Sequence, residues 1–359
     1  MNRMVGVILT LLIASLQVAG AEPRLEWTFS CGSRVYSAPV VADLLPDPGP
    51  EMVLVSSAER KILCLNSERK VRWTQDDFTL RVTSTPTLAD LDSDGGPEIL
   101  IATRKQGIAC LSTEGQLLWR ASEGQDIPWG NPVVADADND GGKEIYWVSL
   151  AGLLECRNPD GGPRWSLDLG AKGPMGPPAL GDTDGDGLAE VVSGSGNGAV
   201  VCVNHDGSVE WRFMGNAAFD CGAVLANLTG DMALEVLIAS GDGALFCLDG
   251  RSGEPIWNHR TTPCRIDTTL AVADLTGEET PEVLYGDYFG NLYCLDSRGV
   301  ELWWFKAGDW IESAPTVGDV DGDGAFEVVC ASADGHAYCL SAEGDLEWTY
   351  ATGKRISAT

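Results

Sequence analysis

Along this chain, apolar runs of four to eight residues, rich in Val, Ile and Leu, alternate with short breaks of Gly, Asp and Asn. Runs of that length bounded by turn residues predict β-strands joined by hairpins. No stretch sustains a helical period. The order of runs and breaks itself recurs. Each copy reads Ser-Ala-Pro, an apolar run, an acidic loop, Glu with a second apolar run, a Gly turn, Leu-Tyr-Cys-Leu, another Gly turn, and Leu-x-Trp. In the last full copy this predicts strands over Ala314–Asp319, Glu327–Ala331, His336–Ser341 and Leu346–Tyr350.

Tryptophan marks the period. Trp27, Trp73, Trp119, Trp165, Trp211, Trp257 and Trp303 are spaced by 46 residues, and Trp348 follows after 45. One four-stranded unit at this period is a propeller blade, and the indole at the outer strand is expected to pack against the neighbouring blade. The fold class is therefore an all-β propeller over residues 22–359, with repeats ending near those tryptophans. Leu25–Phe29 reads as an outermost strand with no partners before it. Arg355-Ile-Ser-Ala-Thr359 repeats Arg81-Val-Thr-Ser-Thr85 and so begins another copy. Seven complete repeats plus these two pieces favour an eight-bladed ring truncated at its C-terminus, with a seven-bladed ring as the alternative.

The loop between the first and second strands carries the sharpest chemistry. Carboxylates stand at positions 1, 3, 5 and 9 in repeat 2 (Asp90, Asp92, Asp94, Glu98), repeat 3 (Asp136, Asp138, Asp140, Glu144), repeat 4 (Asp182, Asp184, Asp186, Glu190) and repeat 7 (Asp319, Asp321, Asp323, Glu327). Calcium takes six to eight oxygen ligands, and alternating Asp around a Gly turn wraps side chains about one ion. Four calcium sites are expected. Repeat 6 is a weaker one (Asp274, Glu278, Glu282), while repeats 1 (Asp43, Asp47, Glu51) and 5 (Asn227, Thr229, Asp231, Glu235) are decayed copies.

The formal charge of -29, from 53 acids against 24 bases, excludes nucleic acid as a partner. Twenty-four of the acids lie at the loop positions, leaving 29 against 24 bases, so the metal loops explain most of the acidity. Residues 1–21 read as a secretory signal: Asn2-Arg3, an apolar run from Val5 to Leu16, and Ala19-Gly20-Ala21. The run is too short to span a bilayer. A secreted, periplasmic or cell-surface location follows as an expectation, without a transmembrane segment.

Two resemblances meet in these residues. Asp182-Thr-Asp-Gly-Asp-Gly-Leu-Ala-Glu190, between two apolar strands, resembles the FG-GAP/VCBS repeat of integrin-type propellers. Leu248-Asp-Gly-Arg-Ser-Gly-Glu-Pro-Ile-Trp257 resembles the tryptophan motif of PQQ-type quinoprotein propellers and of the non-catalytic outer-membrane assembly lipoproteins that share it. The resemblance implies a propeller with calcium loops and leaves the activity open. PQQ enzymes of this type carry an adjacent Cys-Cys pair beside the cofactor. No two cysteines are adjacent here, so PQQ is not expected.

Seven of the eleven cysteines recur at one position of the third strand: Cys64, Cys110, Cys156, Cys202, Cys247, Cys294 and Cys339. They read as small buried apolar residues. A two-residue turn at Asp334-Gly335 would set Cys330 opposite Cys339 as a disulfide candidate, and Cys221 and Cys264 form a second candidate pair. Arg34, Arg81, Arg265 and Arg355 share one register before the Ser-Ala-Pro position, with Trp310 at the same place in repeat 7. These would line the rim away from the acidic loops, near Tyr36, Trp129, Phe219, Tyr288 and Phe289. Guanidinium groups beside aromatics suit an acidic polysaccharide or a protein segment. The three histidines, His205, His259 and His336, have no evident nucleophile, and no Gly-x-Ser-x-Gly or HExxH pattern occurs. The reading is thus a non-catalytic binding module for a protein or an extracellular polysaccharide. The alternative is a calcium-dependent polysaccharide lyase on the same scaffold.

Overall fold

The computed structural model describes residues 8–10 and 27–353, except 32–34, 36, 46–48, 58, 77, 79–81, 83, 105, 123–129, 173–175, 261–264, 267–268, 278–279 and 312. The described residues form seven four-stranded antiparallel sheets, each drawing its strands in chain order from one repeat. Blade 4 is representative, with Ala179–Gly181 innermost, then Glu190–Gly194 and Ala199–Val203, and Val209–Met214 outermost.

Burial follows position within the blade. The second and third strands of blade 4 are buried at every residue, as expected for strands covered on both faces by neighbouring blades. The outermost strands alternate exposed with partly buried positions in blades 3, 5, 6 and 7. One apolar cluster spans blades 4 to 6, from Val192 and Cys202 through Leu237 and Cys247 to Val283 and Tyr285. The core is therefore a series of blade-to-blade layers, each buried aliphatic side chain contributing about 1.5–3 kcal/mol.

The eight-bladed ring favoured on the sequence is corrected to seven blades. Every repeat supplies its own outermost strand, so no blade needs one from the N-terminal segment. The segment read as a spare outermost strand instead places Thr28–Ser30 antiparallel to Ile8–Thr10 in a separate two-stranded sheet. Residues 355–359, expected to begin an eighth copy, lie outside the described residues.

A second correction concerns Cys330 and Cys339. Cys339 pairs with Val329, and Cys330 pairs with Tyr338. The turn is one residue longer than expected: Ser332 N–H donates to the His336 carbonyl, so Ala333, Asp334 and Gly335 form the connection. A shift of one residue puts the two cysteines on opposite faces of the sheet. Both are free thiols. Cys221 is buried, and Cys264, its expected partner, lies outside the described residues.

All seven third-strand cysteines are buried, and each stands directly opposite the tryptophan of its own blade, as in Cys64–Trp73, Cys202–Trp211 and Cys339–Trp348. A bulge follows this pair in every blade. The small thiol gives the large indole room on the shared face, and one more pair follows the bulge before the turn, as at Val203–Val209.

Candidate metal centres and the opposite rim

The acidic loops turn sharply, and their geometry follows from the spacing of the Asp residues. In repeat 4 the Asp182 carboxylate accepts from the N–H groups of Gly185 and Gly187, at 2.6 and 3.0 Å. Asp184 accepts from Asp186 N–H at 2.9 Å, and Asp186 accepts from Leu188 N–H at 2.8 Å. Repeat 7 repeats the pattern from Asp319 to Ala325. Gly187 and Gly324 have φ of +92° and +94°, which only glycine adopts without strain. The loop is thus wound by its own carboxylates, both oxygens of Asp182 and of Asp319 and one oxygen of each later Asp bonding the backbone.

The Glu at position 9 closes the loop. Its Oε2 accepts from the N–H of position 2 in every blade, at 2.7–3.1 Å: Leu44, Leu91, Ala137, Thr183, Leu228, Leu275 and Val320 donate. That holds the glutamate in the decayed copies as well as the intact ones. The blades differ at the other oxygen. In repeats 5 and 6 the hydroxyls of Thr229 and Thr276 donate to Oε1 of Glu235 and Glu282, at 2.9 and 3.3 Å. In repeat 3, Arg164 bonds Oε1 of Glu144. Among the described residues, none donates to Oε1 of Glu98, Glu190 or Glu327.

Ligand atoms converge in four loops, lying within 4.8 Å of one another: Asp90, Asp92 and Asp94; Asp136, Asp138 and Glu144; Asp182, Asp184 and Glu190; Asp319, Asp321 and Glu327. Asp90 Oδ1 is buried without a hydrogen-bond partner. An all-carboxylate donor set of this kind fits a hard divalent cation, and calcium in particular. The carboxyls of Glu98, Glu190 and Glu327 are raised above the usual range, first by burial and further by the Asp groups of the same loop. A bound cation would reverse that penalty. Of the remaining expected ligands, Asp140 and Asp186 spend Oδ1 on the loop backbone, as does Asp323. In the weaker site Asp274 accepts from Gly277 N–H, and Glu278 lies outside the described residues.

These loops also join the blades. Ala189 N–H donates to the Ala137 carbonyl, and Leu234 N–H to that of Asp182. Asn139 donates to the Gly187 carbonyl, and Lys143 Nζ to that of Asp90. Ordering a loop therefore orders a blade interface.

The opposite rim is formed by the loops between blades and the turns between second and third strands, which bond each other: Gly241 to Ala218, Tyr288 to Arg265, and Ala333 to Trp310. Arg265 pairs with Asp220 at 3.0 Å. Tyr288 packs on Trp310 with ring centroids 4.7 Å apart. Phe289 is 55% exposed and Trp310 37%. Arg265, Tyr288, Phe289 and Trp310 thus belong to one stretch of rim across blades 5 to 7. Phe219, also assigned to the rim, is instead buried under Phe213 and Phe246. Arg34, Arg81, Arg355, Tyr36 and Trp129 lie outside the described residues. His259 is partly buried, with Nδ1 2.8 Å from the Tyr285 hydroxyl, and His336 pairs with Asp334 at 3.2 Å.

Comparison with known proteins agrees with this architecture. Residues 104–281 match a family of PQQ-type repeats described as outer membrane protein assembly factor BamB. Residues 315–356 match the lambda-carrageenase beta-propeller domain family. These matches support a PQQ-like β-propeller. The propeller is similar to BamB from Moraxella catarrhalis, at 15% identity and a TM-score of 0.64, covering 94% of each chain. It is similar to the biofilm matrix protein Bap1 of V. cholerae, also at 15% and 0.64, covering 89% of this chain and 79% of that one. Quinohemoprotein alcohol dehydrogenase from Comamonas testosteroni matches at 12% and 0.64, covering 91% and 68%. At these identities the likeness is one of fold. No curated protein matches the chain in sequence. Among the described residues no helix is long and apolar enough to cross a membrane.

Proposed function

We propose that this chain is an exported, calcium-stapled β-propeller that binds an acidic polysaccharide without transforming it. Residues 1–21 supply the export signal. Calcium sits in the loops of repeats 2, 4 and 7, whose likeness to FG-GAP/VCBS repeats extends the PQQ-like architecture. The observation that carries the metal reading is the spare Oε1 of Glu190 and Glu327, held by a backbone bond to the other oxygen and gathered with two Asp carboxylates of the same loop, while in repeat 2 Asp90, Asp92 and Asp94 gather without Glu98. The ions stabilise loops whose carboxylates repel one another, so that binding energy becomes folding energy.

The ligand surface in this reading is the opposite rim. Exposed Phe289 and Trp310, packed by Tyr288, offer flat apolar faces, and Arg265 offers a guanidinium for acidic groups. The match over 315–356 to a carrageenase propeller domain favours a polysaccharide. The BamB-type match over 104–281 favours a protein segment as the second reading, on the same rim. Isothermal titration against sulfated and uronate polysaccharides, with Trp310→Ala and Arg265→Ala beside the parent, tests the proposal. Binding lost in both variants at unchanged melting temperature is the expected result. Equal binding by all three removes the rim from the account.

A further inference from the structure

Repeat 3 looks like repeats 2, 4 and 7 in sequence and differs from them in structure. Besides Asp140 Oδ2, two carboxylate oxygens of its loop remain after the backbone bonds are made. Glu144 spends Oε2 on Ala137 N–H, leaving Oε1, and Asp138 spends Oδ1 on Asp140 N–H, leaving Oδ2. Arg164 takes both: Nη1 bonds Glu144 Oε1, and Nη2 bonds Asp138 Oδ2 at 2.7 Å. The side chains of Glu144 and Asp138 are 3% and 17% exposed, so this pairing is largely screened from water. We infer that the guanidinium of Arg164 is the resident cation of the repeat 3 loop, standing where the other intact loops hold calcium. The inference rests on the calcium reading for its comparison and on the two ion pairs for itself.

Arg164 reaches the loop because it precedes Trp165 in the outermost strand of the same blade. The equivalent residues are Leu118 in repeat 2, Glu210 in repeat 4 and Glu347 in repeat 7. None of these can replace a cation. Two of them add a carboxylate to the blade instead, and in repeat 7 that carboxylate lies beside Cys339, with Cys339 Sγ 3.8 Å from Glu347 Oε2. Arginine also explains how an intact acidic loop persists without metal. A bidentate fork bridges two carboxylates at fixed geometry, as a lysine would not. In repeats 5 and 6, threonine hydroxyls serve the same oxygen of the glutamate, but there the loops have lost acids as well. Repeat 3 carries all four acids together with a fixed countercharge.

Calcium titration of the chelator-stripped full chain, parent against Arg164→Gln, tests this directly. The expected result is one more calcium equivalent in Arg164→Gln than in the parent. Equal stoichiometry in the two proteins would overturn the assignment. A second measurement, made in EDTA, keeps the assignment testable apart from the calcium reading. There Arg164→Gln should melt below the parent, and adding Asp138→Asn should restore part of the loss. An Arg164→Gln protein that melts with the parent in EDTA shows that the guanidinium does not hold the loop. If neither protein binds calcium, the calcium reading fails and the substitution fails with it, while the EDTA pair still decides whether Arg164 holds the loop.

Discussion

Trp211 lies flat on Gly253 of the next blade, so close that a Cβ at Gly253 would stand 2.5 Å from the indole. The same indole donates Nε1–H to the Gly250 carbonyl at 2.6 Å. Trp73, Trp165, Trp257 and Trp303 each repeat both contacts with the turn of the following blade. The tryptophan beat is therefore a set of blade-to-blade clasps. Gly253→Ala should destabilise the protein by about 1–3 kcal/mol, because it adds steric conflict to a backbone at φ +71°. Trp211→Phe should cost about 1 kcal/mol for the lost hydrogen bond, beyond its packing change. Chemical denaturation of both variants measures this.

Chelation should weaken the same interfaces from the other end. Loops of neighbouring repeats exchange backbone bonds, as at Ala189–Ala137 and Leu234–Asp182. EDTA should lower the melting temperature, and calcium should restore it. Asp184→Asn should reduce the calcium-dependent part without abolishing the fold. Differential scanning calorimetry with and without calcium checks both.

Thiol reactivity should be nearly absent in the native state. Cys64, Cys110, Cys156, Cys202, Cys247, Cys294, Cys330 and Cys339 are pushed up to about 12, burial being the main cause. Reaction requires the thiolate and access. Alkylation followed by mass spectrometry should leave these eight unmodified in buffer and label all of them in denaturant. A disulfide between Cys330 and Cys339 would contradict the register.

His259 should make stability fall in mildly acidic solution. Burial against Tyr285 and Tyr293 lowers its affinity for a proton, with Glu301 opposing the shift. The unfolded chain, whose histidine titrates near about 6.5, then binds the proton first. Stability is lost as pH drops below that value and levels off beneath the native pKa. His259→Gln should flatten this part of the profile, read as the difference between denaturation midpoints of the two proteins from pH 7.5 to 5.

The strand order, the four-stranded repeat and the acidic loops were legible because each repeats inside one chain. The strands observed in blade 7, at Thr316–Gly318, Glu327–Ala331, His336–Leu340 and Leu346–Ala351, differ from the expected ones by one residue at most, apart from the start of the first, which differs by two. Blade number was not legible, since an isolated strand-like segment such as 25–29 carries no sign of what it pairs with. The Cys330 register failed on one residue of turn length, which Asp-Gly alone does not fix. Arg164 was missed because its partners are 20 and 26 residues away in sequence. Aligning the residue before each outer tryptophan would have exposed it as the one arginine beside an intact loop.

The central claim is that the Asp-rich loops hold calcium, and anomalous diffraction from crystals grown with calcium tests it most directly. The account predicts peaks in the loops of Asp90, Asp182 and Asp319, each about 2.3–2.6 Å from its carboxylate oxygens, and the Arg164 guanidinium without a peak in the loop of Asp136. Loops without anomalous signal at saturating calcium would contradict it.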